Sequence, residues 1–322
     1  MLTYILLVAG FVLLIKGANL LVDGASSVAK RIGISSLVIG LTVVAFGTSA
    51  PELIVSVLAS LKNNTDIAIG NVLGSNIANI LLILGISALI FPLTVKRNTV
   101  WKEIPFSLLT VLVAAIMAND ILLDKSSFSG LTRSDGLVFL CFFIIFFYYT
   151  FSISKADPSE SDKIEIKKNS VPVSLLKITI GMVALTLGGK WIVDSAVDIA
   201  SSFGISQAII GLTVVAIGTS LPELATSAVA AFKKNTDIAV GNIVGSNIFN
   251  ILLILGISSL INPLPFFSMM MFDVFVDVAA TLALFMFMFI DIKHTLQRWQ
   301  GGVFVAAYVL YIVLLVLREL KF

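Results

Sequence analysis

Residues 33–56 read GISSLVIGLTVVAFGTSAPELIVS, and residues 204–227 read GISQAIIGLTVVAIGTSLPELATS. The likeness continues through residues 62–90 and 233–261 at a constant offset of 171 positions, and 41 of the 58 positions compared are identical. A match of this length predicts an internal duplication. The matched stretch is dense in polar and helix-breaking residues, which a scaffold built only to pack against lipid would avoid. We therefore expect it to carry the function.

The rest of the chain is apolar. Of its 322 residues, 58% are hydrophobic and 12% are charged, which is about half the charged share of a soluble domain. The net charge of +2 is too small to predict nucleic-acid binding. One cysteine, Cys141, and one histidine, His294, exclude a disulfide within the chain and offer no catalytic constellation. The composition predicts an integral membrane protein that is not an enzyme.

Ten apolar runs are long enough to cross a bilayer, which takes about 17–25 residues. They lie near residues 2–27, 35–60, 68–91, 103–121, 134–153, 172–197, 206–231, 239–262, 270–290 and 301–318. The predicted fold is therefore all-α. Because each half holds an odd number of crossings, the second half starts on the opposite side of the membrane, and the duplication predicts two inverted five-helix repeats. Such repeats bring corresponding residues face to face near the bilayer midplane.

One long polar segment, SKADPSESDKIEIKKNSV at residues 154–171, separates the first repeat, residues 1–153, from the second, residues 172–322. Its mixed charge and its proline and serine content are typical of a flexible linker. With the N-terminus placed outside, lysine and arginine residues favour the cytoplasmic side by about 13 to 5. We therefore expect a cytoplasmic linker and extracytoplasmic termini, in a plasma or inner membrane.

The motif GTSxPE occurs once in each half, at residues 47–52 and 218–223. Proline has no N–H, so the carbonyl four residues earlier loses its helical partner, and the residue before proline is pushed away from helical angles. We predict that the second and seventh helices are broken at this motif. Such a break is tolerated in a membrane only where it faces protein or a wet cavity. The exposed oxygens are hard donors, which suit Na⁺ and Ca²⁺, and they belong to Thr48, Ser49 and Glu52 and to Thr219, Ser220 and Glu223.

Glu52 and Glu223 carry the charge of the predicted site. An ionised glutamate at mid-bilayer costs at least about 2.5 kcal/mol, so two of them require compensation. One Ca²⁺ would neutralise both carboxylates, and the same oxygens would also suit two or three Na⁺ ions. The alternative is a structural ion pair with a buried lysine, for which Lys16, Lys177 and Lys190 are the candidates.

A polar stripe follows in the next helix of each half. Residues recur every four positions and so share one helix face: Asn71, Ser75 and Asn79, and in the second half Asn242, Ser246 and Asn250. Interhelical hydrogen bonding is the favoured role of Asn71 and Asn242. Ion coordination is favoured for the other four, because the deepest of them reach mid-bilayer.

The remaining aspartates receive a plainer interpretation. Five lie near predicted helix ends, where solvation is expected: Asp120, Asp124, Asp135, Asp273 and Asp291. Asp277 lies one turn deeper and is a weaker candidate for lining an ion pathway.

At these residues the chain resembles the Ca²⁺:cation antiporter superfamily, specifically the sodium/calcium exchangers of prokaryotic type. The paired GTS(A/L)PE and GN(V/I)(L/V)GSN segments match the α-repeats of that family. The resemblance implies four sites at the membrane centre, Na⁺ and Ca²⁺ as transported ions, and alternating access by sliding of the first and sixth helices. The ligands that it implies are the carboxylates of Glu52 and Glu223, the hydroxyls of Ser49, Ser75, Ser220 and Ser246, and the carbonyls of Ala45, Thr48, Ala216 and Thr219, with Asn79 and Asn250 nearby.

Asn250 departs from some relatives, including potassium-dependent exchangers, which have aspartate at this position. Asparagine keeps an oxygen donor but has no titratable charge, which disfavours K⁺ cotransport. We expect a Na⁺/Ca²⁺ antiporter that works as a monomer, with the bilayer and the two ions as its partners. Two alternatives stay open: an H⁺/Ca²⁺ exchanger that uses the same glutamates, and a cation channel, which needs neither an inverted repeat nor a counter-ion gradient.

Overall fold

The computed structural model describes residues 2–125, 129–154, 170–203, 216–267 and 270–319. These residues are almost entirely helical, as the composition predicts. The helices are α1 (Leu2–Ile32), α2 (Ser36–Thr48), α3 (Ala50–Leu61), α4 (Thr65–Ile90), α5 (Thr99–Met117), α6 (Asp120–Asp124), α7 (Arg133–Ser154), α8 (Val171–Ser202), α9 (Ala216–Gly218), α10 (Leu221–Phe232), α11 (Thr236–Ile261), α12 (Met270–Phe287) and α13 (Arg298–Glu319).

Eight of the described helices are long and apolar enough to cross a membrane, and the bent pair α2 and α3 makes a ninth span. The all-α membrane fold is thereby confirmed. The predicted seventh crossing, residues 206–231, starts within residues 204–215, which lie outside the described part; α9 and α10 are what the structure describes of it. The predicted linker at residues 154–171 likewise falls mostly on residues 155–169, outside the described ranges.

The predicted ends of the first and sixth crossings are wrong. α1 continues to Ile32 and α8 to Ser202, five residues beyond each apolar run. The helical hydrogen bonding continues through small and polar residues that the apolar pattern excludes. At 1.5 Å per residue, α1 with 31 residues and α8 with 32 are about 46 Å and 48 Å long. Both lengths exceed the ~30 Å hydrocarbon core, so both helices must tilt or project beyond it.

Small residues spaced by seven bring α1 and α8 into backbone contact. A Cβ atom added to Gly17 would lie 2.9 Å from the carbonyl oxygen of Gly181. Similar contacts join Gly10 to Gly188 and Gly24 to Ser174. Residue numbers rise along α1 as they fall along α8, so the two helices are antiparallel. The first helices of the two halves therefore run in opposite directions, as inverted repeats require.

α4 and α11 form the centre of the molecule, and α11 is enclosed on nearly all sides. α2 approaches α11 closely, since a Cβ atom at Gly245 would lie 2.7 Å from the carbonyl oxygen of Leu41. Two short antiparallel ribbons are the described exceptions to the helical fold: β1 (Leu93–Thr94) pairs with β4 (Thr295–Leu296), and β2 (Gly130–Leu131) pairs with β3 (Leu264–Pro265). Each ribbon joins one half of the chain to the other.

Replacing Gly181 by alanine should lower the melting temperature of the detergent-solubilised protein. The new Cβ would meet the backbone of Gly17 and Leu21 at 2.8 Å, and overpacking of this kind costs about 1–3 kcal/mol. Gly302→Ala is the matched control, because no described atom lies within 4 Å of its added Cβ. Alanine favours a helix over glycine at both positions, so only packing separates the variants. Equal melting temperatures would contradict the assigned α1–α8 contact.

Candidate cation-binding site

The predicted helix break is present in the first half and ends beside a glutamate. α2 stops at Thr48, α3 starts at Ala50, and their axes differ by 47°. Pro51 and Glu52 lie in the first turn of α3. The N-terminal turn of a helix carries unpaired N–H groups and a partial positive charge, which stabilise a nearby anion. The break therefore places a carboxylate where the backbone itself favours negative charge.

The second half repeats this arrangement. α9 ends at Gly218 and α10 begins at Leu221, with Pro222 and Glu223 in its first turn. The predicted interruption of the seventh helix is thus seen at its motif. Glu52 and Glu223 each expose 1% of their surface, so both carboxylates are inside the protein.

The two halves exchange hydrogen bonds at these glutamates. The hydroxyl of Ser49 donates to Oε1 of Glu223 at 3.0 Å, and the hydroxyl of Ser220 donates to Oε1 of Glu52 at 3.4 Å. Each serine lies at the helix break of one half and reaches the glutamate of the other. The two carboxylates, 171 positions apart in the sequence, consequently meet at one centre, as the inverted repeat predicts.

The helix that follows each break adds another serine. Ser75 of α4 lies 3.4 Å from Oε1 of Glu52, and Ser246 of α11 lies 3.5 Å from Oε1 of Glu223. The hydroxyl of Ser220 also lies 3.2 Å from that of Ser75. Four serine hydroxyls thus surround two carboxylates, and all of them are buried.

Four acceptor oxygens of the predicted ligands have no hydrogen-bond partner among the described residues. They are Oε2 of Glu52, Oε2 of Glu223, Oδ1 of Asn79 and Oδ1 of Asn250, and all four are buried. An unpartnered buried acceptor costs about 1–3 kcal/mol, and more when it is charged. Carboxylate and amide oxygens are the ligands of hard cations. The arrangement is therefore suited to a cation held between the two carboxylates.

No protein cation occupies that role in the described chain. Neither Glu52 nor Glu223 has a lysine, arginine or histidine within salt-bridge distance there. The alternative of a structural pair with Lys16, Lys177 or Lys190 is therefore not observed. The described residues also hold no cluster of three or more His, Cys, Asp or Glu side chains, so the site consists of two carboxylates and neutral oxygens.

The threonine hydroxyls of the two GTSxPE motifs donate hydrogen bonds to asparagines of the opposite half. Thr48 Oγ1 donates to Oδ1 of Asn242 at 3.0 Å, and Asn242 Nδ2 donates in turn to Ser227 Oγ at 3.0 Å. In the other half, Thr219 Oγ1 donates to Oδ1 of Asn71 at 3.4 Å. The interhelical role predicted for Asn71 and Asn242 is what the structure shows.

The carbonyls of Ala45 and Ala216 are among the predicted ligands, and the described residues show hydrogen bonds for the first of them. The carbonyl of Ala45 already accepts the N–H of Ser49 at 2.9 Å and the hydroxyl of Thr48 at 3.3 Å, although a carbonyl has a second lone pair to share. Ala216 is the first described residue of α9. The ligand roles of Ala45, Ala216 and the threonine carbonyls stay predictions.

Asn76 and Asn247 take part in hydrogen bonds with the predicted ligands, and Asp277 is linked to them through Asn76. The sequence pattern did not indicate a role for the two asparagines and indicated only a weak one for Asp277. Asn79 Nδ2 donates to Oδ1 of Asn247 at 2.8 Å, and Asn250 Nδ2 donates to Oδ1 of Asn76 at 3.0 Å. Asn76 Nδ2 donates in turn to Oδ2 of Asp277 at 3.3 Å. The duplicated GSN motif contains both missed asparagines. Their identity in the two halves was the signal that could have found them.

The predicted solvation of Asp273 is wrong. Its carboxylate is partly buried and accepts a hydrogen bond from the hydroxyl of Tyr311 at 2.9 Å. The first half has a comparable pair, in which Tyr149 donates to the buried Glu103 at 2.5 Å. Closeness to a helix end misled the prediction, because a tyrosine of the neighbouring helix shields each acid.

The family model described as sodium/calcium exchanger protein matches residues 2–152 and 173–317. Among curated proteins, the chain is similar to the sodium/calcium exchanger MaX1 of Methanosarcina acetivorans, with 33% identity over 90% of this chain and 91% of that protein. It is also similar to the inner membrane protein YrbG of Escherichia coli, with 41% identity over 73% of both chains.

Solved structures of the sodium-calcium exchanger NCX_Mj share the fold. The structure soaked with 10 mM Na⁺ and zero Ca²⁺ has a TM-score of 0.84 and 36% identity, and the match covers 97% of this chain and 98% of that one. The structure soaked with zero Na⁺ and Ca²⁺ has a TM-score of 0.83 and the same identity, over 98% and 99% of the two chains.

Replacing Asn242 by alanine should destabilise the protein by about 1–3 kcal/mol. The substitution removes one hydrogen-bond partner of Thr48 and one of Ser227, and each bond lost costs about 0.5–1.5 kcal/mol. Both hydroxyls keep a carbonyl acceptor, at Ala45 and at Ala239. Asn19→Ala is the control, because that side chain donates only to a carbonyl of its own helix, Ile15 O at 2.9 Å. Melting temperatures in detergent measure both. A loss no larger for Asn242→Ala than for the control would argue against the bracing role.

Proposed function

The chain belongs to the sodium/calcium exchanger family, and from that premise we propose that it exchanges Na⁺ for Ca²⁺ across a cell membrane by alternating access. Antiport of a cation against Ca²⁺ follows from the family; Na⁺ as the counter-ion and the coordination are our proposal. The observation that carries it is the meeting of Glu52 and Glu223, which are buried, bridged by serines of the opposite half and free of protein cations in the described chain.

The proposed ligands form two sets around these carboxylates. Ca²⁺ takes 6–8 oxygen ligands, usually with carboxylates among them, and it would bind between Glu52 and Glu223. Na⁺ has half the charge and is served by neutral oxygens with one carboxylate. The oxygens proposed for both ions are those of Ser49, Ser75, Ser220, Ser246, Asn79 and Asn250, with the carbonyls of Ala45, Thr48, Ala216 and Thr219.

The neutral oxygens favour Na⁺ over H⁺ as the counter-ion. A proton needs only a carboxylate to carry it. The unpartnered amide oxygens of Asn79 and Asn250 have no part in carrying a proton; they would bind Ca²⁺ in either exchanger, and as neutral hard donors they also suit Na⁺. An H⁺/Ca²⁺ exchanger remains the second candidate, because both glutamates could instead exchange Ca²⁺ for protons.

We also propose the membrane arrangement that the loop charges predict. Residues 1–153 and 172–322 form the inverted halves of a monomer, with the linker at residues 154–171 in the cytoplasm and both termini outside. A cysteine introduced in the linker of a Cys141→Ser variant should resist a membrane-impermeant maleimide in right-side-out vesicles. Rapid labelling from outside would reverse the orientation.

Uptake of ⁴⁵Ca²⁺ into proteoliposomes tests the function. Vesicles loaded with Na⁺ and diluted into Na⁺-free buffer should accumulate Ca²⁺, because outward Na⁺ movement drives it inward. Vesicles with only a pH gradient, and vesicles with no gradient, should not. Uptake driven by the pH gradient alone would establish the proton exchanger, and uptake that needs neither gradient would establish a channel.

Glu52→Gln and Glu223→Gln should each abolish Na⁺-driven Ca²⁺ uptake. Glutamine keeps the shape of the side chain but removes the charge that offsets Ca²⁺. Glu103→Gln is the matched control, since this buried carboxylate bonds to Tyr149 and touches none of the proposed ligands; it should keep wild-type uptake. All three variants should elute as single species in detergent. Wild-type uptake by either of the first two would remove that glutamate from the site.

A further inference from the structure

A third buried carboxylate lies next to the proposed ligands and has no part in the function described so far. Asp277 on α12 has no exposed surface. Its Oδ2 accepts from Asn76 Nδ2 at 3.3 Å, and its Oδ1 has no partner among the described residues. A buried acid with so few partners is costly to keep, which points to a role in the site.

The role follows from the direction of the hydrogen bonds. A side-chain amide has donors at one end and an acceptor at the other, whereas a carboxylate offers acceptors only. Nδ2 of Asn76 has two such acceptors, Oδ2 of Asp277 at 3.3 Å and the backbone carbonyl of Asn247 at 3.5 Å. The carboxylate is the closer of the two and the charged one, so Asp277 contributes most to the orientation of Asn76. Oδ1 of Asn76 then points to Asn250 and accepts from Asn250 Nδ2 at 3.0 Å. The amide of Asn250 is left with its Oδ1 unpartnered.

The orientation matters because the opposite one would be harmful. If Asn250 were turned by 180°, its NH₂ group would replace its oxygen at the unpartnered position. That group is a donor and repels a cation. An element that sets the direction of the amide pair therefore decides whether Asn250 is an ion ligand.

The first half has the backbone acceptor but, in the described part of the chain, not the carboxylate. Asn79 Nδ2 donates to Asn247 Oδ1, and Asn247 Nδ2 is held by the backbone carbonyl of Asn76 at 3.3 Å. Among the described residues, the carboxylate anchor is present on the Asn250 side alone.

We propose that Asp277 is a positioning residue of the ion site, which acts through Asn76 to hold the side-chain oxygen of Asn250 toward the transported cation. The inference rests on the proposed function, because it takes Asn250 as a ligand. Replacing a group that orients a metal ligand typically lowers metal affinity about 10–100-fold.

The dependence of ⁴⁵Ca²⁺ uptake on Ca²⁺ concentration tests this role. Asp277→Asn puts an amide where the carboxylate was, so Asn76 loses its charged acceptor and keeps only the 3.5 Å contact with the carbonyl of Asn247 to set its direction. KM for Ca²⁺ should rise about 10–100-fold while the maximal rate is retained. Asp273→Asn is the matched control, one turn away on the same helix and bonded to Tyr311; its KM should stay at the wild-type value.

Rescue separates positioning from a structural effect. In an Asn250→Asp background both side-chain oxygens at this position are acceptors, so orientation no longer matters. Adding Asp277→Asn to that background should change KM by no more than about twofold, within the usual scatter of additivity. Asn76→Ala removes the link by another route and should raise KM as Asp277→Asn does, which keeps the test open if one variant fails to fold.

Three results would overturn the inference: an unchanged KM in the folded variants of Asp277 and Asn76, an equal loss in both Asn250 backgrounds, or an equal loss in Asp273→Asn. A wild-type protein that takes up no Ca²⁺ under any gradient would instead overturn the proposed function. The two failures are therefore distinguishable.

Discussion

An ionised carboxylate buried in a membrane protein needs a compensating positive charge, and the centre of this molecule is organised around two carboxylates. Glu52 and Glu223 meet without a protein cation in the described chain. Helix N-termini and four serine hydroxyls reduce the electrostatic cost but bring no full charge. The buried side-chain oxygens of Asn79 and Asn250 also have no hydrogen-bond donor among the described residues. Structure and proposed cargo are therefore linked, because a bound cation would supply the positive charge that the described residues do not.

The duplication supplies this geometry and also makes each half insufficient alone. Ser49 serves the glutamate of the second half and Ser220 that of the first. Thr48 and Thr219 likewise find their asparagines across the interface between the halves. A single repeat would therefore have a carboxylate without its serine and a break without its brace. Assembly of the two halves and formation of the site are one event.

The features that could be predicted from the sequence are those that the internal duplication repeats in both halves. Identical GTSxPE motifs, with proline chemistry, predict both breaks and both glutamates. Asn76 and Asn247 are harder to predict, because the four-residue period selects the helix face of Ser75 and Ser246. The next residue along the chain points about 100° away from that face. Asp277 has no matching acid in the first half. Only packing between helices shows whether a short hydroxyl such as that of Thr48 faces an ion or an asparagine.

The seam between α1 and α8 constrains how this molecule can move. Small residues seven positions apart bring the two backbones into contact at three levels. Displacing one helix along the other would break all three contacts together. The next matching alignment lies a full seven-residue step away, about 10 Å of helix rise. Intermediate alignments press side chains into the opposing backbone. We therefore expect α1 and α8 to move as one rigid pair. Any sliding motion would then take place where this pair contacts the remaining helices.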